Sequence, residues 1–425
     1  MVKIVLVGAG SDVFGYNHIL DAVNIPALKG SELMLHDIDQ RRLNTINKLA
    51  EKMNESTDAN LEINCSTEPD IALSDADFVI TSIELERMKR WKLDWEIPFK
   101  HGIKQVIGEN GGPGGMFHTW RNIPPILKLA KIMENVCPKA WLLNYTNPVS
   151  RLCLAIDRYT DIKTVGLCHE VENQLKRLAS LMNMPTALFD VLSFGLNHFS
   201  WYKEIKLKDG TDAYPMLDKA LKTAKGFQPL CKAIYRQFGL YPSTDDNHIG
   251  EYLAYAWEIT PEKDRGINWI KRCEEKGNRN WKYINRIIQG EEPLEIKGKL
   301  SGERAMHIIA GITTNSNHIE IQTNLPNKNQ IPNLFNDAIV ETPAIINNRG
   351  IHPIKVGEIP EGLAALCNIQ IMVQSLVVEA GVSGDLNKAK QALLVDPVVN
   401  DQDKALAAFN ELMKVHRDLL PQFQV

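Results

Sequence analysis

The chain has 425 residues, a net charge of −4, 44% hydrophobic residues and 24% charged residues, which provides a sizeable core over two or three structural units and excludes whole-chain disorder. A pI near 6.3 with no basic blocks offers no field for a phosphate backbone, so no nucleic-acid partner is expected. The seven cysteines form no C-x-x-C pair, the first residues run straight into a strand, and no stretch approaches the roughly 18 uncharged apolar residues of a membrane span; reduced thiols and a cytoplasmic, membrane-free location are expected.

Apolar runs at residues 4–7, 33–35, 78–80, 106–107, 141–143 and 164–167 alternate with helical stretches such as 40–53 and 123–133. Continuous apolar runs imply strands covered on both faces, so residues 1–170 are expected to form an α/β unit with a Rossmann-type, doubly wound parallel sheet. Residues 171–425 change rhythm and predict a second, mixed α+β domain. Its helices are expected at 171–182, 214–238, 248–257, 268–289, 363–380 and 402–416, and its strands at 189–194, 202–207 and 318–322. The helix at 363–380 is apolar almost all round and should be buried, whereas 323–352, rich in Asn and Pro, suggests a long irregular connection.

Chemistry-bearing residues gather where strands end. Gly8, Gly10 and Ser11 follow the first strand, where glycines let backbone N–H groups approach a dinucleotide pyrophosphate. Val13 occupies the place of the third glycine of G-x-G-x-x-G, and Asp37, the expected ribose-binding acid, stands 27 residues after Gly10. NAD is the expected cofactor; a tight turn and a helix-capping Asp are the plain structural alternative. Asn144 and Asn147 end another strand, where they suit a nicotinamide ribose and a sugar hydroxyl or an Asn-Pro turn. A glycine-rich loop, Gly108 to Gly115, precedes His118 and Arg121, which either reach substrate or belong to an ordinary loop and helix. Cys168 with His169 and Asn197 with His198 also follow strands, but by spacing alone Cys168 reads as a core residue and His198 as a satisfied polar one.

In order and approximate spacing, Gly8-Ala9-Gly10-Ser11, Gly112-Pro113-Gly114-Gly115, Asn144-Tyr145-Thr146-Asn147-Pro148, Gly166-Leu167-Cys168-His169, Gly195-Leu196-Asn197-His198 and Gly350-Ile351-His352-Pro353 resemble glycoside hydrolase family four, the NAD- and metal-dependent glycosidases. The likeness spans nearly the whole chain. It implies a lactate/malate dehydrogenase-like C-terminal half and a glycosidase that oxidises sugar carbon 3 with NAD, abstracts the carbon 2 proton beside Mn²⁺ or another divalent metal, eliminates the aglycone and adds water.

The resemblance also implies roles. Cys168 and His198 match the metal ligands, reversing the reading from spacing, and Asn147 matches a substrate-contacting amide. His169 stands where phospho-sugar members carry Asp or Asn, which points to unphosphorylated α-glycosides, including α-glucosides, α-galactosides and α-galacturonides. The base is expected at Asp246, with Asp245 and Tyr252 behind it, although either Asp can instead cap a helix. A homodimer or homotetramer is expected. The alternatives are a lactate/malate-type NAD-dependent dehydrogenase and a catalytically dead sugar or nucleotide sensor.

Overall fold

The apolar runs become central strands of one eleven-stranded sheet in a computed structural model that describes residues 1–424. In chain order the strands are β1 (Lys3–Val7), β2 (Glu32–His36), β3 (Glu62–Ser66), β4 (Phe78–Thr81), β5 (Trp141–Asn144), β6 (Lys163–Gly166), β7 (Phe189–Leu196), β8 (Phe199–Leu207), β9 (His318–Pro326), β10 (Ile339–Asn347) and β11 (Gly350–Pro353). Their spatial order is β3-β2-β1-β4-β5-β6-β9-β10-β7-β8, with β11 paired to β10. The first six strands pair in parallel, and antiparallel pairing begins where Gly166 of β6 meets Asn324 of β9.

The expected Rossmann-type sheet and mixed α+β continuation are both present. Along β1, Ile4 and Leu6 join one core with Ile19, Leu43, Ile46 and Ile309, from the helices Phe14–Asn24, Gln40–Glu55 and Ala305–Thr314. Val5 and Val7 join the opposite core with Trp120, Leu152, Val377 and Phe409. Because successive strand residues face opposite layers, covering both faces requires an unbroken apolar run. The Glu361–Ser383 helix is long and apolar enough to cross a membrane by length and composition. Its C-terminal half packs in this second core through Val373, Val377, Val378 and Ala380, with Trp120 Nε1 donating to the Val377 carbonyl at 2.8 Å, while Ile369 and Met372 stay exposed, so the expected burial is partial.

Several expected elements differ. Residues 106–107 form no strand: the Ile107 and Gln105 carbonyls accept the indole N–H groups of Trp91 and Trp95, and the Val106 carbonyl accepts from Gly266 N, so this backbone joins no ladder. The edge strand β3 carries Glu62 and Asn64 and lacks an apolar run. The expected helix 214–238 is two, Tyr214–Thr223 and Pro229–Phe238, separated by a turn in which Gly226 and Gln228 have positive φ. The stretch 248–257 consists of short turns, Asp246–Ile249, Gly250–Tyr252 and Ala256–Ile259.

The largest correction concerns 323–352, expected to be irregular. It contains the end of β9, all of β10 and the start of β11. Pro343 is tolerated inside β10 because the register with β9 shifts between Thr342 and Ala344, a bulge that spares the ladder a missing N–H.

Candidate active site

The carboxyl ends of the parallel strands converge at the switch point between β1 and β4, where sheets of this kind open a ligand crevice. Gly8 to Ser11 leave β1, and the Gly10 N–H donates to Asp37 Oδ2 at 2.8 Å beyond the end of β2. Ser11 Oγ accepts the Phe14 N–H at 3.1 Å and so caps the following helix. The missing third glycine is supplied later, at Gly15: a Cβ there would stand 2.1 Å from the Ala9 carbonyl oxygen, so only glycine lets the helix start this close to the turn. A bare turn, an acid at the end of β2 and a close helix N-terminus fit a dinucleotide.

Cys168 follows β6, and His198 occupies the two-residue turn between β7 and β8 with φ +62°. A histidine in that left-handed region is strained, a cost that function often explains. The turn brings His198 Nε2 to 3.4 Å from Cys168 Sγ. Burial, then the charges of Glu341 and Glu170, raise the Cys168 thiol well above its ordinary range. Burial, then His248, lowers His198 well below its own. A neutral imidazole beside a thiol that ionises only next to a positive charge is a donor set for a borderline divalent cation.

His248 lies edge-on to His198, with ring centroids 4.3 Å apart. Its Nδ1 is 2.6 Å from Asp245 Oδ1, while Arg177 reaches Asp245 Oδ2 at 3.3 Å and Glu170 Oε2 at 3.1 Å. Burial opposes a charge on His248, but Asp245 and Glu170 outweigh it and push its pKa up to about 10. Glu170, Asp245 and His248 place ligand atoms within 4.8 Å of one another, near enough to share a cation; here Arg177 supplies the positive charge.

The glycine-rich loop is pinned from the opposite side. Glu251 Oε1 accepts the backbone N–H groups of Glu109 and Asn110 at 2.5 and 2.8 Å, and Asn110 Nδ2 lies 3.1 Å from His198 Nδ1. A Cβ at Gly111 would meet the Glu251 carbonyl oxygen at 2.1 Å, so the loop is seated directly on that turn.

Other sequence-derived residues are placed unevenly. Asn147 Oδ1 is buried without a partner among the described residues, while its carbonyl accepts from Asn122 Nδ2 at 3.0 Å. His169 remains partly open, with Nδ1 3.3 Å from Glu303 Oε1. Asn144 does not face the crevice: its amide accepts from Thr81 Oγ1 and donates to the Thr146 carbonyl, holding the strand-end loop. Arg121 is buried in a two-pronged pair with Asp94, which His416 also approaches, so it is structural and not a substrate contact. His118 is turned inward between the Glu109 carbonyl at 2.8 Å and Glu84 Oε1 at 3.2 Å.

Asp246, the expected base, is likewise engaged elsewhere. Its carboxylate accepts the Leu230 and Cys231 N–H groups at 3.2 and 2.8 Å, capping the Pro229–Phe238 helix, and the residue is 4% exposed. Both aspartates cap: Asp245 Oδ1 accepts the His248 N–H at 3.4 Å at the start of the Asp246–Ile249 turn, but its carboxylate also meets the His248 ring and Arg177. Tyr252 is buried, with its hydroxyl 3.4 Å from the Asn197 carbonyl. Glu303, Glu251, Asn110 and Gly15 were not singled out as site residues, although Asn110 lies in the glycine-rich loop, Glu251 beside the candidate Tyr252 and Gly15 just after a glycine turn.

Comparison with known proteins places the whole chain in one context. Residues 3–184 match the profile described as Family 4 glycosyl hydrolase, and residues 193–399 match its C-terminal domain. The chain is 35% identical to an alpha-glucosidase of Erwinia rhapontici over 97% of both chains. It is 33% identical to an alpha-galactosidase of Bacillus subtilis (strain 168) over 100% of both. The fold matches that of a 6-phospho-alpha-glucosidase from gut microorganisms, solved in complex with NAD and Mn²⁺, at a TM-score of 0.87 and 23% identity over 100% of both chains.

Proposed function

We propose, for a chain that belongs to the family 4 glycosyl hydrolases and is therefore a glycosidase, that it cleaves unphosphorylated α-glycosides of neutral hexoses with NAD and a divalent cation such as Mn²⁺. The observation that carries this reading is the Cys168–His198 pair, brought to 3.4 Å where the chain leaves β6, on the carboxyl edge of the parallel strands that also bears the glycine turn after β1. When bound, NAD⁺ would exchange a hydride with sugar carbon 3, and the cation would act as a Lewis acid toward the oxygens on carbons 2 and 3.

The protein's own residues divide the remaining work. Gly8, Gly10, Ser11 and Asp37 hold the dinucleotide, and Cys168 and His198 hold the cation. Asn147 and His169 orient the sugar, with Glu303 fixing the His169 ring. The carbon 2 proton goes to Asp245, whose carboxylate stays ionised beside His248 and Arg177; burial alone would raise its pKa, but His248 outweighs that and lowers it.

Electrostatics support a neutral sugar. Glu170 and Asp245 are already matched by Arg177 and a protonated His248, Glu303 holds the His169 ring, and Arg87, Arg121, Arg177 and Arg304 are each paired with a carboxylate. Arg151 is fully buried and bonds Thr119. A phosphate dianion would have to displace one of those pairs, at a cost of several kcal/mol.

The test is hydrolysis of chromogenic α-glucosides and α-galactosides with NAD⁺, Mn²⁺ and a thiol reductant. Release of sugar without lasting accumulation of NADH, and deuterium at carbon 2 of sugar formed in D₂O, are expected. NADH accumulating in proportion to substrate consumed would instead establish the dehydrogenase alternative.

A further inference from the structure

His198 can offer Nε2 to a cation only if its ring proton sits on Nδ1, and what fixes that proton is the group facing Nδ1. That group is the Asn110 side-chain amide, at 3.1 Å, and no carboxylate or backbone carbonyl takes its place. Asn110 Nδ2 faces both His198 Nδ1 and Glu251 Oε2, at 3.3 Å, while Asn110 Oδ1 is buried without a partner. This arrangement leaves the imidazole proton on Nε2, directed at Cys168 Sγ.

Turning the amide over reverses the pattern. Oδ1 then accepts from Nδ1–H, the Nε2 lone pair faces Cys168, and Glu251 Oε2 must donate to Oδ1 in place of accepting. Glu251 is suited to carry that proton: burial and the neighbouring Glu109 push its pKa up to about 7. Its other oxygen keeps the Glu109 and Asn110 backbone N–H groups in either arrangement.

We infer that Asn110, held by Glu251, is the positioning residue that sets the tautomer of His198 and so decides whether Nε2 is available to a divalent cation. This rests on the reading that Cys168 and His198 hold that cation. It also gives the glycine-rich loop a task beyond lining the crevice, because the loop carries Asn110 to the ring. The distal contact is an amide able to serve both tautomers, whereas a carboxylate or backbone carbonyl would impose one.

The test is Mn²⁺ affinity of the full chain, read from the paramagnetic resonance signal of free Mn²⁺, for wild type, Asn110→Ala, Glu251→Gln and Cys168→Ser. Asn110→Ala should bind about tenfold or more weakly. Glu251→Gln should bind as tightly as wild type or more tightly, because a glutamine accepts from the loop N–H groups with its oxygen and donates to Asn110 Oδ1 with its nitrogen. Long-range nitrogen–proton spectra of histidine-labelled protein should place the His198 proton on Nδ1 with bound Zn²⁺ and on Nε2 after chelation. Equal affinity of Asn110→Ala and wild type, a loss in Glu251→Gln matching that of Asn110→Ala, or a proton on Nε2 in both states overturns the inference. Wild type binding no more tightly than Cys168→Ser overturns the underlying cation reading instead.

Discussion

Glu303 Oε1 stands 3.3 Å from His169 Nδ1, joining the turn before the Ala305–Thr314 helix to the residue after Cys168. Burial alone would raise the Glu303 pKa, but its bond to His169 outweighs that and lowers it, so the carboxylate remains ionised and holds the ring. Glu303 Oε2 is buried with no partner among the described residues, so the carboxylate has unused accepting capacity beside the crevice.

Losing that carboxylate should loosen the His169 ring without touching the cation. Glu303→Gln is expected to raise KM for an α-glycoside about tenfold, the range of a hydrogen bond to a charged group, with Mn²⁺ affinity unchanged. Steady-state kinetics beside a Mn²⁺ titration check this, and unchanged KM would remove His169 from substrate binding.

The two adjacent aspartates should separate cleanly. Asp245→Asn is expected to lower kcat by about 10²–10⁴, the usual span for loss of a general base, with secondary structure intact. Asp246→Asn should keep kcat within about threefold yet lose about 1 kcal/mol of stability, because an amide replaces one of two carboxylate oxygens at the helix N-terminus. An active Asp245→Asn protein beside an inactive, folded Asp246→Asn protein would return the base to Asp246.

Which parts of this site were legible in sequence follows from chain distance and from what each signal reports. The glycine turn, Asp37, Asn147, Cys168 and His198 sit at strand ends, so local pattern and family resemblance were enough to single them out. Asn110 and Glu251, 141 residues apart, meet only because the sheet and its turns fold them together, and neither lies in a pattern that announces the contact. Asp245 and Asp246 are neighbours with identical side chains, and only the direction of the backbone after Thr244 decides which caps the Pro229–Phe238 helix. Polar residues and Pro343 disguised β10, because a bulge absorbs the proline and interior amides hold Glu341 Oε2. Residues 106–107 had the composition of a strand, but tryptophan donors claim the nearby carbonyls, which no periodicity can report.

Glu251 should leave a pH signature in stability. Its folded pKa of about 7 lies above its ordinary 4.5, because burial and Glu109 disfavour the charge. The fold therefore holds a proton that the unfolded chain releases, and stability falls as pH rises from 4.5 toward 7, by about 3 kcal/mol in all, then levels off. Glu251→Gln carries no such penalty. Its Tm should exceed that of wild type by more at about pH 8 than at about pH 5, as followed by circular dichroism. A difference independent of pH would mean that Glu251 is ionised throughout.

Gly15 tests the dinucleotide end of the crevice. Its Cβ position is blocked by the Ala9 carbonyl oxygen, at 2.1 Å, and this obstacle is backbone that cannot rotate away. Gly15→Ala must therefore push the Phe14–Asn24 helix from the Gly8–Ser11 turn, moving the helix N-terminus that the pyrophosphate would use. Overpacking of this kind costs about 1–3 kcal/mol of stability, and NAD⁺ affinity should fall about tenfold or more by calorimetry. Gly30→Ala is the matched control. Gly30 has φ +74° and open space around its Cβ position, so that change should cost about 1 kcal/mol and leave NAD⁺ affinity unchanged. If Gly15→Ala bound NAD⁺ as well as Gly30→Ala at equal fold integrity, the turn would not be the pyrophosphate site, and the case for NAD would lose its structural support.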